Sequence, residues 1–333
     1  MKLSILDQSP ISANQTAKEA LEASLKLAQH GEKYGYSRYW IAEHHDLNGL
    51  ACPAPEIMLS YIGAQTNTIR IGSGAVLLPY YKPYKVAEVF NMLATLFPDR
   101  IDIGLGRAPG GSAEASQALS DHFLKGVWSF PDSIDDLLHF LDNDFPEDHS
   151  YAKVKAAPIP DQSPQPWLLG TSKKSAILAG EKGISYVFGH FMSDKDGPAI
   201  VEQYRDVYSK IPHKEKPYVI IAATVFCAET TEKAEEIALS SLIWSIQREK
   251  KEGNQGVPSI ENAKNAPLSF EEKTKLEAMK EKIILGNPAE VKQRLDQLQN
   301  QYHADELMIV TITYDPSDKY ESYRLIAQEY KVF

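Results

Sequence analysis

Only two of the 333 residues are cysteine, Cys52 and Cys227, and they stand far apart with no Cys-x-x-Cys spacing. Neither a disulfide framework nor a cysteine-built zinc site is therefore indicated. Long apolar runs are missing as well: the best, Val219–Ala228, is about half of the roughly 18–20 residues that span a bilayer. Positive charge is in deficit, with 35 Lys and Arg against 45 Asp and Glu and a formal net charge of −10. Phosphate-backbone binding needs a basic face, so neither nucleic acid nor membrane is an expected partner. Met1–Asp7 runs straight into an apolar pattern without a signal-peptide core or cleavage site, and the expected location is cytoplasmic. There is no GxxxxGK[ST], no HExxH and no GxSxG, and Glu43-His44-His45 lacks two-histidine helical spacing, so no metal is expected. What is present is 43% hydrophobic and 24% charged, the balance of a soluble globular chain.

Strand-like and helix-like segments alternate along nearly the whole length. The expected strands are Leu3–Leu6, Tyr39–Ala42, Arg70–Leu78, Ile101–Leu105, Trp167–Leu169, Tyr186–Phe188, Tyr218–Ala228 and Leu307–Thr313. Each precedes a helical pattern, among them Val86–Leu96, Ile134–Leu141, Ser172–Gly183, Pro198–Ile211, Thr231–Glu252 and Tyr320–Tyr330. Eight such units imply a parallel sheet with helices outside it and fit one closed (β/α)8 TIM barrel over residues 1–333. A doubly wound open sheet is the rival. The surplus length falls after the fourth strand, at Ala108–Asp132, and after the seventh, at Gly253–Ser269 with an extra charged helix at Glu271–Leu285.

Barrel enzymes carry their chemistry at the C-terminal ends of the strands. Here those ends read Asp7-Gln8-Ser9-Pro10, Glu43-His44-His45-Asp46, Ser73-Gly74-Ala75-Val76, Gly104-Leu105-Gly106-Arg107, Gly170-Thr171-Ser172 and Gly189-His190-Phe191. Arg107 and the Thr171–Ser175 turn read as a phosphate site: a planar guanidinium fork beside a helix start with its free N–H groups. The plainer reading of Ser172 is a helix N-cap. His44 or His45 faces the barrel mouth, where an imidazole that titrates near neutrality serves as acid, base or hydrogen-bond partner. Gly104-x-Gly106 is only half a dinucleotide fingerprint, because Pro109 occupies the third glycine position.

The runs Trp40–His45, Arg70–Pro79, Glu88–Leu96, Arg100–Arg107 and Gly170–Ser172 strongly resemble the bacterial luciferase-like flavin monooxygenases, with Arg107-Ala108-Pro109-Gly110-Gly111 suggesting one branch of them. That resemblance implies a dimeric barrel that takes reduced FMN from a separate flavin reductase and uses O2 to oxygenate a small, apolar organic substrate. Position by position, His44 matches the catalytic histidine that supports the oxygenated flavin. Gly74–Ala75 matches a strand-end peptide, often cis, that packs on the flavin ring. Arg107 matches a phosphate-binding arginine, and Gly170, Thr171, Ser172 and Ser175 match the cofactor-binding turn after the fifth strand. Thr171 stands where luciferase has a glutamate, and Gly106 where it has a reactive cysteine, which questions luminescence more than oxygenation.

Two alternatives accompany this expectation. Relatives on the same barrel transfer hydride with the deazaflavin F420, whose anionic tail calls for extra cations such as Lys173 and Lys174. A flavin-binding protein without turnover would keep Arg107 and the serines. Residues 253–285, polar and rich in Gly, Asn and Pro, are expected to form an active-site lid. Tyr80, Tyr81, Trp128 and Phe191 are the aromatic candidates for an apolar rim.

Overall fold

A computed structural model describes residues 1–212, 216–250 and 255–331. It contains strands β1 (Lys2–Asp7), β2 (Arg38–Ile41), β3 (Arg70–Leu77), β4 (Ile101–Gly106), β5 (Gln165–Gly170), β6 (Ser185–Gly189), β7 (Val219–Cys227), β8 (Ile284–Gly286) and β9 (Glu306–Val310). All but β8 pair in parallel in one ring: β1 to β7 in chain order, then β9, which returns to β1. The β6–β7 pairing closes the barrel and excludes the open sheet.

The alternation of each strand explains the two layers of packing. Outward residues such as Tyr39, Ile41, Ile71, Ile103, Leu105, Tyr186 and Phe188 are buried beneath the helices in the main core. Inward residues Leu6, Trp40, Trp167, Val187, Ile220, Ala222, Met308 and Val310 fill the barrel. Inward glycines make room for the tryptophans: a Cβ on Gly72 would lie 2.8 Å from Trp40 Nε1. At the N-terminal floor the barrel is ionic. Arg38 bridges Asp102 (2.8 Å) and Glu306 (2.9 Å), Arg70 also reaches Asp102 (2.6 Å), and Trp40 Nε1 donates to Asp102 Oδ2 at 2.9 Å. Stacked against Trp167, the Arg38 guanidinium is held above its usual pKa: burial works against the charge, but Asp102 and Glu306 outweigh it.

Outside the ring lie α1 (Ala17–Lys33), α2 (Pro55–Gly63), α3 (Pro83–Leu96), α4 (Ala113–Leu119), α5 (Phe123–Trp128), α6 (Phe130–Asp142), α7 (Lys173–Lys182), α8 (Gly197–Tyr208), α9 (Thr231–Glu249), α10 (Ile260–Lys264), α11 (Phe270–Lys282), α12 (Pro288–Tyr302) and α13 (Pro316–Glu329). The structure departs from the sequence expectation chiefly between β7 and β9. The extra charged helix stops at Lys282, not Leu285, because Ile284–Gly286 pairs with Val225–Cys227 as β8. A further helix, α12, then leads into β9. Its start is written in Asn287-Pro288-Ala289-Glu290, with Asn287 and Glu290 forming a reciprocal cap. Within the expected helix Thr231–Glu252, α9 ends at Glu249; Glu252, and Gly253 and Asn254 of the expected lid, lie outside the described residues.

Candidate active site

At the C-terminal end of the barrel the wall opens into a cavity of about 400 Å³. Small residues create it: Gly74 within β3, and Gly106, Gly170 and Gly189 at the ends of β4, β5 and β6, stand on its lining, with Leu6, Leu169, Val187 and Ala222 as the apolar floor. The expected catalytic and cofactor-binding residues line this one space: His44, Gly74, Ala75, Arg107, Gly170, Thr171, Ser172 and Ser175. The Gly74–Ala75 peptide bond is cis. A side chain at Gly74 would run into Leu6 Cδ1, 2.5 Å from the added carbon.

The turn between β5 and α7 is built by its own serines. Ser172 is the N-cap of α7, and its Oγ accepts from the Ser175 amide at 3.3 Å. Ser175 reciprocates, accepting from the Ser172 amide (3.2 Å), and its hydroxyl donates to the Ser172 carbonyl (2.7 Å) beside Tyr186 Oη at 3.0 Å. The N-cap reading of Ser172 therefore holds, and it leaves the amides of Lys173 and Lys174, the first two of the helix, without intrahelical partners. Gly170 is required by this packing, since a Cβ there would sit 2.2 Å from Ser175 Oγ. Lys173 and Lys174 themselves are exposed and do not line the cavity. Arg107 does, exposed at the rim, with no ion pair to a carboxylate among the described residues.

Glu43-His44-His45 divides its work. Buried Glu43 is a bracket: its carboxylate accepts from Tyr81 Oη (2.7 Å) and the Leu77 amide (3.0 Å), and His45 Nε2 lies 2.8 Å away. Burial raises the Glu43 pKa against those hydrogen bonds. His44 lines the cavity beside Glu43 but has no such bracket. Its Nδ1 is shielded from solvent and has no hydrogen-bond partner among the described residues. Burial, then the positive charge of Arg248 and of His45, pulls its pKa down to about 4. At neutral pH the ring is uncharged.

The expected aromatic rim is corrected by the structure. Of the four candidates, Phe191 alone lines the cavity. Tyr81 is held by Glu43, Tyr80 donates to the Pro109 carbonyl at 2.7 Å, and Trp128 is 84% exposed on α5. Asp7, which ends β1, is structural: it accepts from Ser24 (2.6 Å) and Tyr39 (2.8 Å) and pairs with Lys319 (3.4 Å). Sequence reasoning missed Arg248 and Trp244 on α9, which line a second space of about 280 Å³ next to the first. Among the described residues, no group of three or more His, Cys, Asp or Glu could hold a metal ion.

The family model for luciferase-like monooxygenases matches residues 1–304. The chain belongs to the luciferase-like monooxygenase family. The N-acetyl-S-alkylcysteine monooxygenase of Bacillus subtilis is 38% identical over 328 residues, covering 98% of this chain and 97% of that protein. The crystal structure of apo-MsnO8 superposes with a TM-score of 0.88 at 31% identity, over 100% of this chain and 99% of that one. Two more distant solved structures share the fold alone. One is the oxygenating constituent of 3,6-diketocamphane monooxygenase in complex with FMN (TM-score 0.72, 20% identity), which covers 99% of this chain and 97% of that one. Another is an F420-dependent secondary alcohol dehydrogenase (TM-score 0.70, 14% identity), with 98% of each chain covered.

Proposed function

We propose that this protein is a flavin-dependent monooxygenase that binds reduced FMN, supplied by a separate reductase, and uses O2 to oxygenate a small organic substrate. The supporting observation is that His44, the Gly74–Ala75 peptide, Arg107 and the start of α7 line one cavity at the C-terminal barrel mouth. The space has the size of a small-ligand site, and its lining matches the parts of FMN. The guanidinium of Arg107 and the start of α7 at Thr171 and Ser172 suit the phosphate, because a helix start presents N–H groups and positive potential to an anion. The glycine-lined wall at Gly74 and Gly106 admits a flat ring. His44, on the lining of the cavity, offers that ring or its reaction partner one hydrogen bond from its imidazole.

Bound FMN would supply the electrons and the centre at which O2 is activated. The chain's own contribution is position and dryness. Neutral His44 presents an imidazole to the bound ring without bringing a charge into the cavity. Glu43 keeps the strand end rigid beside it through three hydrogen bonds. Leu6, Leu169, Val187 and Ala222 exclude water from the floor.

FMN is favoured over F420 because Arg107 is the one Lys or Arg on the cavity lining among the described residues, whereas the long anionic tail of F420 calls for several. Competition titration of the purified protein with FMN, riboflavin and F420 tests this order. FMN is expected to bind most tightly; preferential F420 binding overturns the reading. A homodimer, and a lid formed by residues 253–285, belong to the same proposal. The lid is supported by α11, whose Met279, with nearby Lys282 and Ile283, lines the neighbouring cavity. If deleting it leaves water access to the reduced flavin unchanged, the lid is refuted.

A further inference from the structure

The second cavity lies between the end of the barrel and the helices that follow β7, and it shares Gln8 and Phe191 with the first. Its lining combines the apolar Phe226, Leu242 and Met279 with the hydroxyl-bearing Thr224, Ser241 and Ser245. Among the described residues it carries no carboxylate, yet it carries Arg248. The neighbours of Arg248 on α9 and just beyond are spoken for: Glu249 pairs with Lys275, and Lys250 with Glu272. Lys282, the other cation on the lining, is paired with Asp194. Arg248 pairs with no acid among the described residues.

This guanidinium is nevertheless positioned. It stacks on the Trp244 ring, 4.7 Å from the centroid. Trp244 is 1% exposed and wedged against Gly49, where an added Cβ would fall 2.2 Å from its ring. Half-burial without a counter-ion costs free energy, and Arg248 accordingly has a pKa below its usual value. Its charge is also felt at His44, on the wall of the first cavity. A fixed, partly desolvated, unpaired arginine beside a reaction site is an anion receptor with its ligand outstanding.

We propose that the second cavity holds the substrate of the flavin site, and that Arg248 binds a carboxylate on that substrate while its apolar part lies along Phe226, Leu242 and Met279. The substrate class is then an apolar molecule with an anionic end, not a neutral hydrocarbon or aldehyde. This inference rests on the flavin site described above for the reaction, but the binding step can be measured without flavin. The probes are hexanoate and its neutral counterpart hexanamide, titrated calorimetrically into flavin-free and FMN-loaded protein.

One charge-assisted contact predicts that wild-type protein prefers hexanoate by about tenfold or more. Arg248→Gln should abolish the preference, and Arg248→Lys should restore part of it if the charge is what acts. FMN affinity and the thermal midpoint, measured on the same samples, should stay near wild type and show that the variants fold. Equal binding of the two probes, no saturable binding of either, or a preference that survives Arg248→Gln overturns the proposal. A hexanoate preference in a protein that fails to bind FMN upholds Arg248 as a receptor and overturns the flavin reading instead.

Discussion

Replacing Arg107 by alanine separates the two halves of FMN. The side chain is exposed at the rim and bound to no acid among the described residues, so its removal strands no buried charge. Stability should change by no more than about 0.5 kcal/mol, the usual range for such surface positions. A hydrogen bond to a charged group contributes about 1.5–3 kcal/mol, so losing the phosphate contact should weaken FMN roughly 10- to 100-fold. Riboflavin has the same ring and no phosphate, and its affinity should stay within about twofold. The assay is a fluorescence titration of both flavins against wild type and Arg107→Ala, at low and high ionic strength. Salt should weaken FMN binding in wild type more than in the variant, because screening acts on the charge the variant has lost. Equal losses for both flavins, or an unchanged FMN affinity, would refute the phosphate assignment. Ser172→Ala makes the contrasting control, since it removes a helix cap worth about 1 kcal/mol and should lower the melting temperature.

Acid should expose His44. Its folded pKa is lowered from 6.5 to about 4, so its contribution to stability is complete above pH 6.5 and is lost as pH falls through 4. The shift corresponds to about 3 kcal/mol, and urea unfolding near neutral pH and near pH 4 should show wild type losing that much more than His44→Gln. Parallel losses would show that the ring is not held neutral by the fold; Glu43, whose raised pKa acts in the opposite direction, is common to both proteins. At the other end of the barrel, Asp102→Ala leaves Arg38 and Arg70 short of a buried carboxylate and should cost about 3–5 kcal/mol. Chemical denaturation measures it, and a loss below about 1 kcal/mol would contradict the importance of the ionic floor.

The barrel was legible because each strand ends at a change of chemistry. Leu3–Leu6 runs into Asp7, Arg70–Leu78 stops at Pro79, and Trp167–Leu169 runs into Gly170-Thr171-Ser172. The same punctuation brought His44, Arg107 and Ser175 to one rim, since in a closed parallel barrel all strand ends meet there. What stayed hidden depends on contacts distant in sequence. β8 is three residues long and exists because Val225–Cys227 extends past the ring to receive it. α12 had a readable cap at Asn287 and Glu290, but the polar residues between Val291, Leu295, Leu298 and Tyr302 obscured that buried stripe. Arg248 reads as one more charge on a long helix. Its meaning comes from the fold of α9 over the barrel mouth and from Trp244 beneath it. Tyr80 and Tyr81 were placed correctly along the chain, yet their hydroxyls are drawn to Pro109 and Glu43 and away from the cavity.

The account turns on whether this cavity changes how reduced FMN meets oxygen. Protein loaded anaerobically with reduced FMN should be mixed with oxygenated buffer in a stopped-flow instrument while the oxidised-flavin absorbance is followed. The account predicts a delayed return of that absorbance, slower than for free reduced FMN, with the delay shortened in His44→Ala. Reoxidation as fast as free reduced FMN, unaltered by His44→Ala, would contradict it.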